Sequence, residues 1–212
     1  RDLLRVDMKK DMESEIIGLE KIDRAWLDAR PGLKVLGCNC TGLDHIDLEE
    51  CERRGIKVIS LQGETELLET IPSVAELTVW FILELLRRPH TEERYIGNQL
   101  KNKIVGIVGL GRIGARVAHH AVRGFEMKIV YYDVKRNEQF EKDYGAVFAP
   151  TVEELLPKAD FVSIHVPLLE STKHLMNDVR FKLMKKTAFL INTARGPIVE
   201  EEALYRALRE KT

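Results

Sequence analysis

An apolar run from Lys103 to Val108 is followed at once by Gly109-Leu110-Gly111-Arg112-Ile113-Gly114, and a helical pattern begins at Arg112. A GxGxxG segment alone is weak, but between a strand and a helix it restricts the fold severely. Gly109 permits the tight turn off the strand, Gly111 lets the backbone approach a pyrophosphate, and Gly114 lets the helix pack closely on the sheet. Amides at the helix start, with the positive end of the helix dipole, hold the phosphate charge. The next apolar run, Lys128 to Tyr132, ends in Asp133, 19 residues beyond Gly114. That matches the spacing of about 20 for an acid that accepts the adenosine ribose hydroxyls. Asp133 repels a 2′-phosphate, which favours NAD over NADP, although Lys135 and Arg136 are close enough in sequence to reach one.

The rest of this segment repeats the alternation of strand and helix. Strands are expected at Ala146 to Phe148, Phe161 to His165 and Ala188 to Asn192, and helices at Val152 to Lys158, Asp178 to Lys185 and Glu200 to Arg209. The first part of the chain has the same rhythm. Strands are expected at Ile16 to Leu19, Lys34 to Cys38 and Lys57 to Ser60. Asp23 caps a helix ending near Pro31, and Asp47 caps one that stops at Gly55. From Ser73 to Arg88 runs a nearly continuous apolar helix, expected to be buried, with Ser73 and Glu76 as a capping box and Pro89 as its stop. The fold expected is α/β, with two Rossmann-like or flavodoxin-like units built on parallel sheets. The domains expected are 1–88, including the helix 73–88, and 100–212.

Composition narrows the function. The net charge is -1, from 33 Lys and Arg against 34 Asp and Glu, so neither nucleic acid nor an anionic membrane is the expected partner. The most apolar stretch, Val79 to Leu83, is interrupted at Glu84 and falls far short of the roughly 20 residues that cross a bilayer. Arg1 to Arg5 does not read as a signal peptide. The three cysteines, Cys38, Cys40 and Cys51, form no zinc set, and Cys38 and Cys40 read as buried structural thiols. Their odd number suggests a reducing cytoplasm. No metal site is expected. His119 and His120 adjoin on a helix and point to different sides, His45 and His174 have no partner identifiable in sequence, and Tyr131 and Tyr132 read as strand packing.

Four further pieces become legible beside GLGRIG: Asn39-Cys40-Thr41-Gly42-Leu43-Asp44-His45-Ile46-Asp47, Ser73-Val74-Ala75-Glu76, His165-Val166-Pro167-Leu168 and Asn192-Thr193-Ala194-Arg195-Gly196. In this order they resemble the D-isomer-specific 2-hydroxyacid dehydrogenases. The resemblance implies an NAD-binding domain beside a substrate domain built from both chain ends. It implies an interdomain, dimer-forming helix from Ser73, and hence a homodimer. It places Arg112 and Ile113 at the pyrophosphate, Asp133 at the ribose, His165, Val166 and Pro167 along the cofactor cleft, and Thr193, Ala194 and Arg195 beside the nicotinamide. Arg195 is the implied catalytic residue, pairing with the carboxylate of a small 2-hydroxy or 2-oxo acid and polarising its carbonyl. Thr41 and Gly42 would offer backbone amides to the same carboxylate.

The sequence departs from that pattern in three places. The family's Glu–His pair, which donates the proton and holds the donor charged, lies beyond the last helix seen here, so an incomplete C-terminus is expected. The stretch Gly63 to Pro72 is long for the link into the helix at Ser73, and the passage from Arg88 to Leu100 is short. A second function class shares these motifs: a non-catalytic NAD-sensing interaction protein resembling the C-terminal-binding corepressors.

Overall fold

The computed structural model describes residues 12–88 and 97–210. The chain divides into two units, 1–70 and 71–212, each with its own parallel sheet.

The first unit alternates β1 (Ser14–Ile17), α1 (Arg24–Asp28), β2 (Val35–Cys38), α2 (Leu48–Arg53) and β3 (Lys57–Ser60), with strands in the order β1-β2-β3. Both expected caps form. Asp23 accepts from the Trp26 amide at 3.0 Å, and Asp47 from the Glu50 amide at 3.0 Å. Gly55, at φ +68°, follows the end of α2, a conformation that a side chain would strain. β1 begins earlier than expected, because Ile17 supplies the core contact while Ile16 and Leu19 stay exposed. Ile17, Leu27, Leu36, Cys38, Ile46 and Cys51 form this unit's core. The long stretch after β3 contains a short helix, α3 (Thr65–Glu69).

The second unit opens with α4 (Ser73–Arg87) and continues through β4 (Ile104–Val108), α5 (Arg112–Phe125), β5 (Lys128–Tyr132), α6 (Glu138–Tyr144), β6 (Val147–Phe148), α7 (Val152–Leu155), β7 (Phe161–Ile164), α8 (Asp178–Phe181), β8 (Phe189–Asn192) and α9 (Glu201–Glu210). The five parallel strands lie in the order β6-β5-β4-β7-β8. Alternate side chains feed two cores. Val105, Ile107, Ile129 and Tyr131 pack with α4 and α5, whereas Val108, Val130, Val162 and Ile164 pack with α7 and α9. Helices thus cover both faces, as a parallel sheet requires.

The structure revises three expectations. α4 packs Ala75, Ile82 and Leu86 into the second unit's core. It is not buried all round: Leu77 is 45% and Trp80 50% exposed, because its burial follows one face through Ala75, Thr78, Ile82 and Leu86. Ser73 does not cap it. The helix starts one residue too early for that: Pro72 holds the N-cap position and takes the Ala75 and Glu76 amides on its carbonyl, so Ser73 is already helical. The expected stop, Pro89, lies outside the described residues, and Arg88 ends the helix at φ +44°. α6 was not expected at all, although Asn137 caps it and Gly145 follows it at φ +62°.

Cys38 and Cys40 are not thiols. They form a disulfide, which leaves Cys51 as the free, buried cysteine. Their side chains alternate along the chain, but the turn after β2 brings them back to a Cα separation of 5.3 Å, within disulfide range. Among the described residues, no helix is long and apolar enough to cross a membrane.

Candidate active site

Register builds the site. Val108 pairs with Tyr132 on one side and Ile164 on the other, and Ile164 pairs with Asn192. The strands are parallel and end level with one another, so the residues that follow them, Asp133, Gly109, His165 and Thr193, emerge side by side along one edge of the sheet. β4 is also where the strand order reverses, the position at which open α/β sheets bind ligands.

The glycine loop has the shape that its sequence implies. Gly109 sits at φ +98°, and a Cβ there would lie 2.8 Å from the His165 carbonyl oxygen. At Gly114 a Cβ would meet the Gly109 oxygen at 2.1 Å, so the helix start and the turn are in contact. Gly111 faces open space, and no side chain caps the first turn of α5. Such an arrangement suits an anion: bare backbone at the positive end of a 14-residue helix. Asp133 is fixed from behind, its carboxylate accepting from the Leu110 amide at 2.7 Å and the Lys135 amide at 3.2 Å. Its remaining lone pairs can accept from ribose hydroxyls. Arg136, a candidate for a 2′-phosphate, instead holds Glu141 through two bonds of 2.9 and 2.8 Å. These residues fit an NAD-type dinucleotide. Arg112 reaches the Ile71 carbonyl at 3.3 Å, and Ile113 packs against the core.

His165 shares a 2.8 Å hydrogen bond with the buried Ser163 hydroxyl. Burial lowers its pKa to about 4, so the ring is neutral near pH 7. A neutral imidazole inside the cleft wall suits a lining role better than that of charged proton donor. Val166 is half-buried and Pro167 exposed beyond it.

The loop after β8 is held by one side chain. Asn192 accepts from the Ala194 amide at 3.0 Å and donates to the Arg195 carbonyl at 2.8 Å, bridging Thr193–Arg195. Arg195, half-buried, donates from its guanidinium to the Ala194 carbonyl at 3.0 Å. Thr193 meets Thr78 of α4, hydroxyl to hydroxyl, at 3.0 Å, and Thr78 also bonds the Val74 carbonyl at 2.8 Å. A carbonyl can only accept, so Thr78 donates there and Thr193 must donate to Thr78. That leaves the Thr193 oxygen able to accept a further hydrogen bond. Sequence reasoning missed both positioning residues. Thr78 stood inside an apolar run and was absorbed into it, and Asn192 was quoted in its motif without a role.

Thr41 and Gly42 lie in the first unit, on the loop that follows β2, with Thr41 exposed. The Leu61 amide secures this loop by donating to the Cys40 carbonyl at 3.1 Å.

Residues 78–212 match the family described as D-isomer specific 2-hydroxyacid dehydrogenase, NAD binding domain. A glyoxylate reductase of Thermofilum pendens is 42% identical over 206 residues, covering 90% of this chain and 59% of that protein. A glyoxylate reductase of Korarchaeum cryptofilum is 38% identical, covering 97% and 64% respectively. Among solved structures, D-lactate dehydrogenase from Aquifex aeolicus, complexed with NAD and lactic acid, superposes with a TM-score of 0.78 at 34% identity. That superposition covers 97% of this chain and 63% of the other. The chain thus spans about three fifths of the length of these relatives.

Proposed function

Because the chain belongs to the D-isomer-specific 2-hydroxyacid dehydrogenases, with NAD as the family's cofactor, we propose that the protein containing it catalyses reversible hydride transfer between NAD and a small 2-oxo or 2-hydroxy acid. The observation that carries this reading is the level register that sets Asp133, the glycine loop, His165 and the Thr193–Arg195 loop on one sheet edge. Glyoxylate is the first acid to try, since the curated relatives described above are named for it.

When bound, the nicotinamide supplies or accepts the hydride. The chain's own residues do the rest. The first-turn amides of α5, with Arg112, hold the pyrophosphate, Asp133 holds the ribose, and the Thr193 oxygen accepts a hydrogen bond from the cofactor. Arg195 pairs with the acid's carboxylate and steadies charge on the carbonyl oxygen as it is reduced. The amides of Thr41 and Gly42 are assigned to a carboxylate as well. The proton reaching that oxygen is assigned to the family's Glu–His pair and to none of the residues named above.

Arg195→Ala, made in the full-length protein, should lower kcat/KM for glyoxylate by about 10²–10³, as loss of a transition-state donor does. NADH binding, followed by fluorescence, should change little. A variant with unaltered turnover removes Arg195 from the mechanism. Tight NADH binding by the wild-type protein, with no oxidation by glyoxylate, pyruvate or hydroxypyruvate, overturns the enzyme and points to the sensor.

A further inference from the structure

The first unit holds a cluster that the proposed reaction does not use. The Sγ atoms of Cys38 and Cys40 and a ring nitrogen of His45 lie within 4.8 Å of one another. We propose that these three residues form a redox-gated site for a thiophilic divalent cation of the zinc type: closed while the disulfide stands, and a ligand set once it is reduced.

Three observations carry this. The first is distance: His45 Nε2 lies 3.8 Å from Cys38 Sγ. With Zn–S near 2.3 Å and Zn–N near 2.05 Å, the S–N edge of a tetrahedral site is about 3.6 Å. His45 therefore already stands almost at ligand separation. The second is anchoring. Ile22 and Ile46 form a bridge, the Ile22 amide donates to the His45 carbonyl at 2.8 Å, and Cys38 ends a paired strand. Only Cys40, on the loop, needs to move for the sulfurs to part to about 3.8 Å, the S–S edge of the same tetrahedron. The third is that a disulfide bridging a single intervening residue removes little chain entropy, so it is a poor staple. Cys38 is buried while Cys40 and His45 are partly exposed, which leaves a fourth position open to water.

The opening step balances with a dithiol as reductant. One of its thiolates attacks a sulfur of the disulfide, and its second thiol resolves the mixed disulfide. The Cys38–Cys40 bond breaks, a disulfide forms in the reductant, and two protons and two electrons pass to the protein thiols. Cation binding then releases the two thiol protons and uses a ring-nitrogen lone pair of His45.

The test uses full-length protein, reduced under argon with a phosphine that is then removed, and titrated with Co²⁺. One equivalent should bind, with a near-ultraviolet thiolate-to-cobalt charge-transfer band that Zn²⁺ abolishes. The oxidised wild-type protein, which carries no substitution, should show no band. Cys38→Ser, Cys40→Ser and His45→Ala should each weaken binding by at least tenfold, about the least effect of losing even an outer partner of a metal ligand. Cys51→Ser should keep the band. A band equal in oxidised and reduced protein, or one at full strength in any of the three ligand variants, overturns the proposal, as does its absence from reduced wild-type protein.

Discussion

At the scale of single residues, two positions carry most of the site's physical demands. Gly109 combines a positive φ with a carbonyl 2.8 Å from where a Cβ would stand. No relaxation of a flexible side chain relieves both strains. Gly109→Ala should therefore displace the loop, weaken NADH binding at least tenfold and lower the thermal midpoint of the second unit. An unchanged Kd by fluorescence titration would mean that the loop is not the pyrophosphate cradle. His165 makes its demand through pH. Its folded pKa is about 4 against an ordinary 6.5, the result of burial. Between those values the unfolded chain binds the proton and the folded one does not, so stability is full above pH 6.5 and declines as pH falls to about 4. The slope should approach about 1.4 kcal/mol per pH unit. His165→Gln should flatten it, as urea denaturation between pH 7 and 5 would reveal. An identical slope in the variant would show that the ring is protonated in the fold.

At the scale of elements, α4 connects packing to chemistry. Thr78 is fully buried and takes the Thr193 proton. Thr78→Val keeps the shape but strands that proton, which should cost about 1–2 kcal/mol of stability. No longer oriented by that bond, Thr193 would also hold the nicotinamide less well and raise the Kd for NADH. Thr78→Val combined with Thr193→Val should cost less in stability than the single changes add up to, and strict additivity in denaturant melts would refute the coupling. The other elements show what pattern reveals. β3 and β5 fall at the expected residues because short apolar strands between caps and glycines have few alternatives. α6 escaped notice because only Phe140 of its seven residues is buried, so periodicity was too faint to see. Beside the Phe140 and Tyr144 rings, its docking is polar: Glu141 accepts from Arg136 and from the Tyr131 hydroxyl at 2.8 Å. Such pairings leave no regular trace in a sequence.

At the scale of the molecule, the half-exposed Leu77 and Trp80, one helical turn apart, give α4 an apolar outer stripe. The homodimer that the family resemblance implies would bury that stripe. In light scattering, the full-length protein should run at twice its chain mass, and Trp80→Glu should shift it towards one. A dimer untouched by that charge would place its interface elsewhere. The sequence by itself determined the α/β alternation and the cofactor's class, and it named the residues proposed to contact that cofactor. Those depend on local rules: a glycine turn between strand and helix, an acid at fixed remove, polar caps at helix starts. Only the tertiary structure decided that α4 joins the second unit, that Thr78 governs the Thr193 proton, and that Cys38 bonds Cys40 beside His45. The reason is physical. Register and caps act over a few residues, whereas a hydroxyl pair 115 residues apart or a ring swung against a sulfur exists only once packing has fixed both partners.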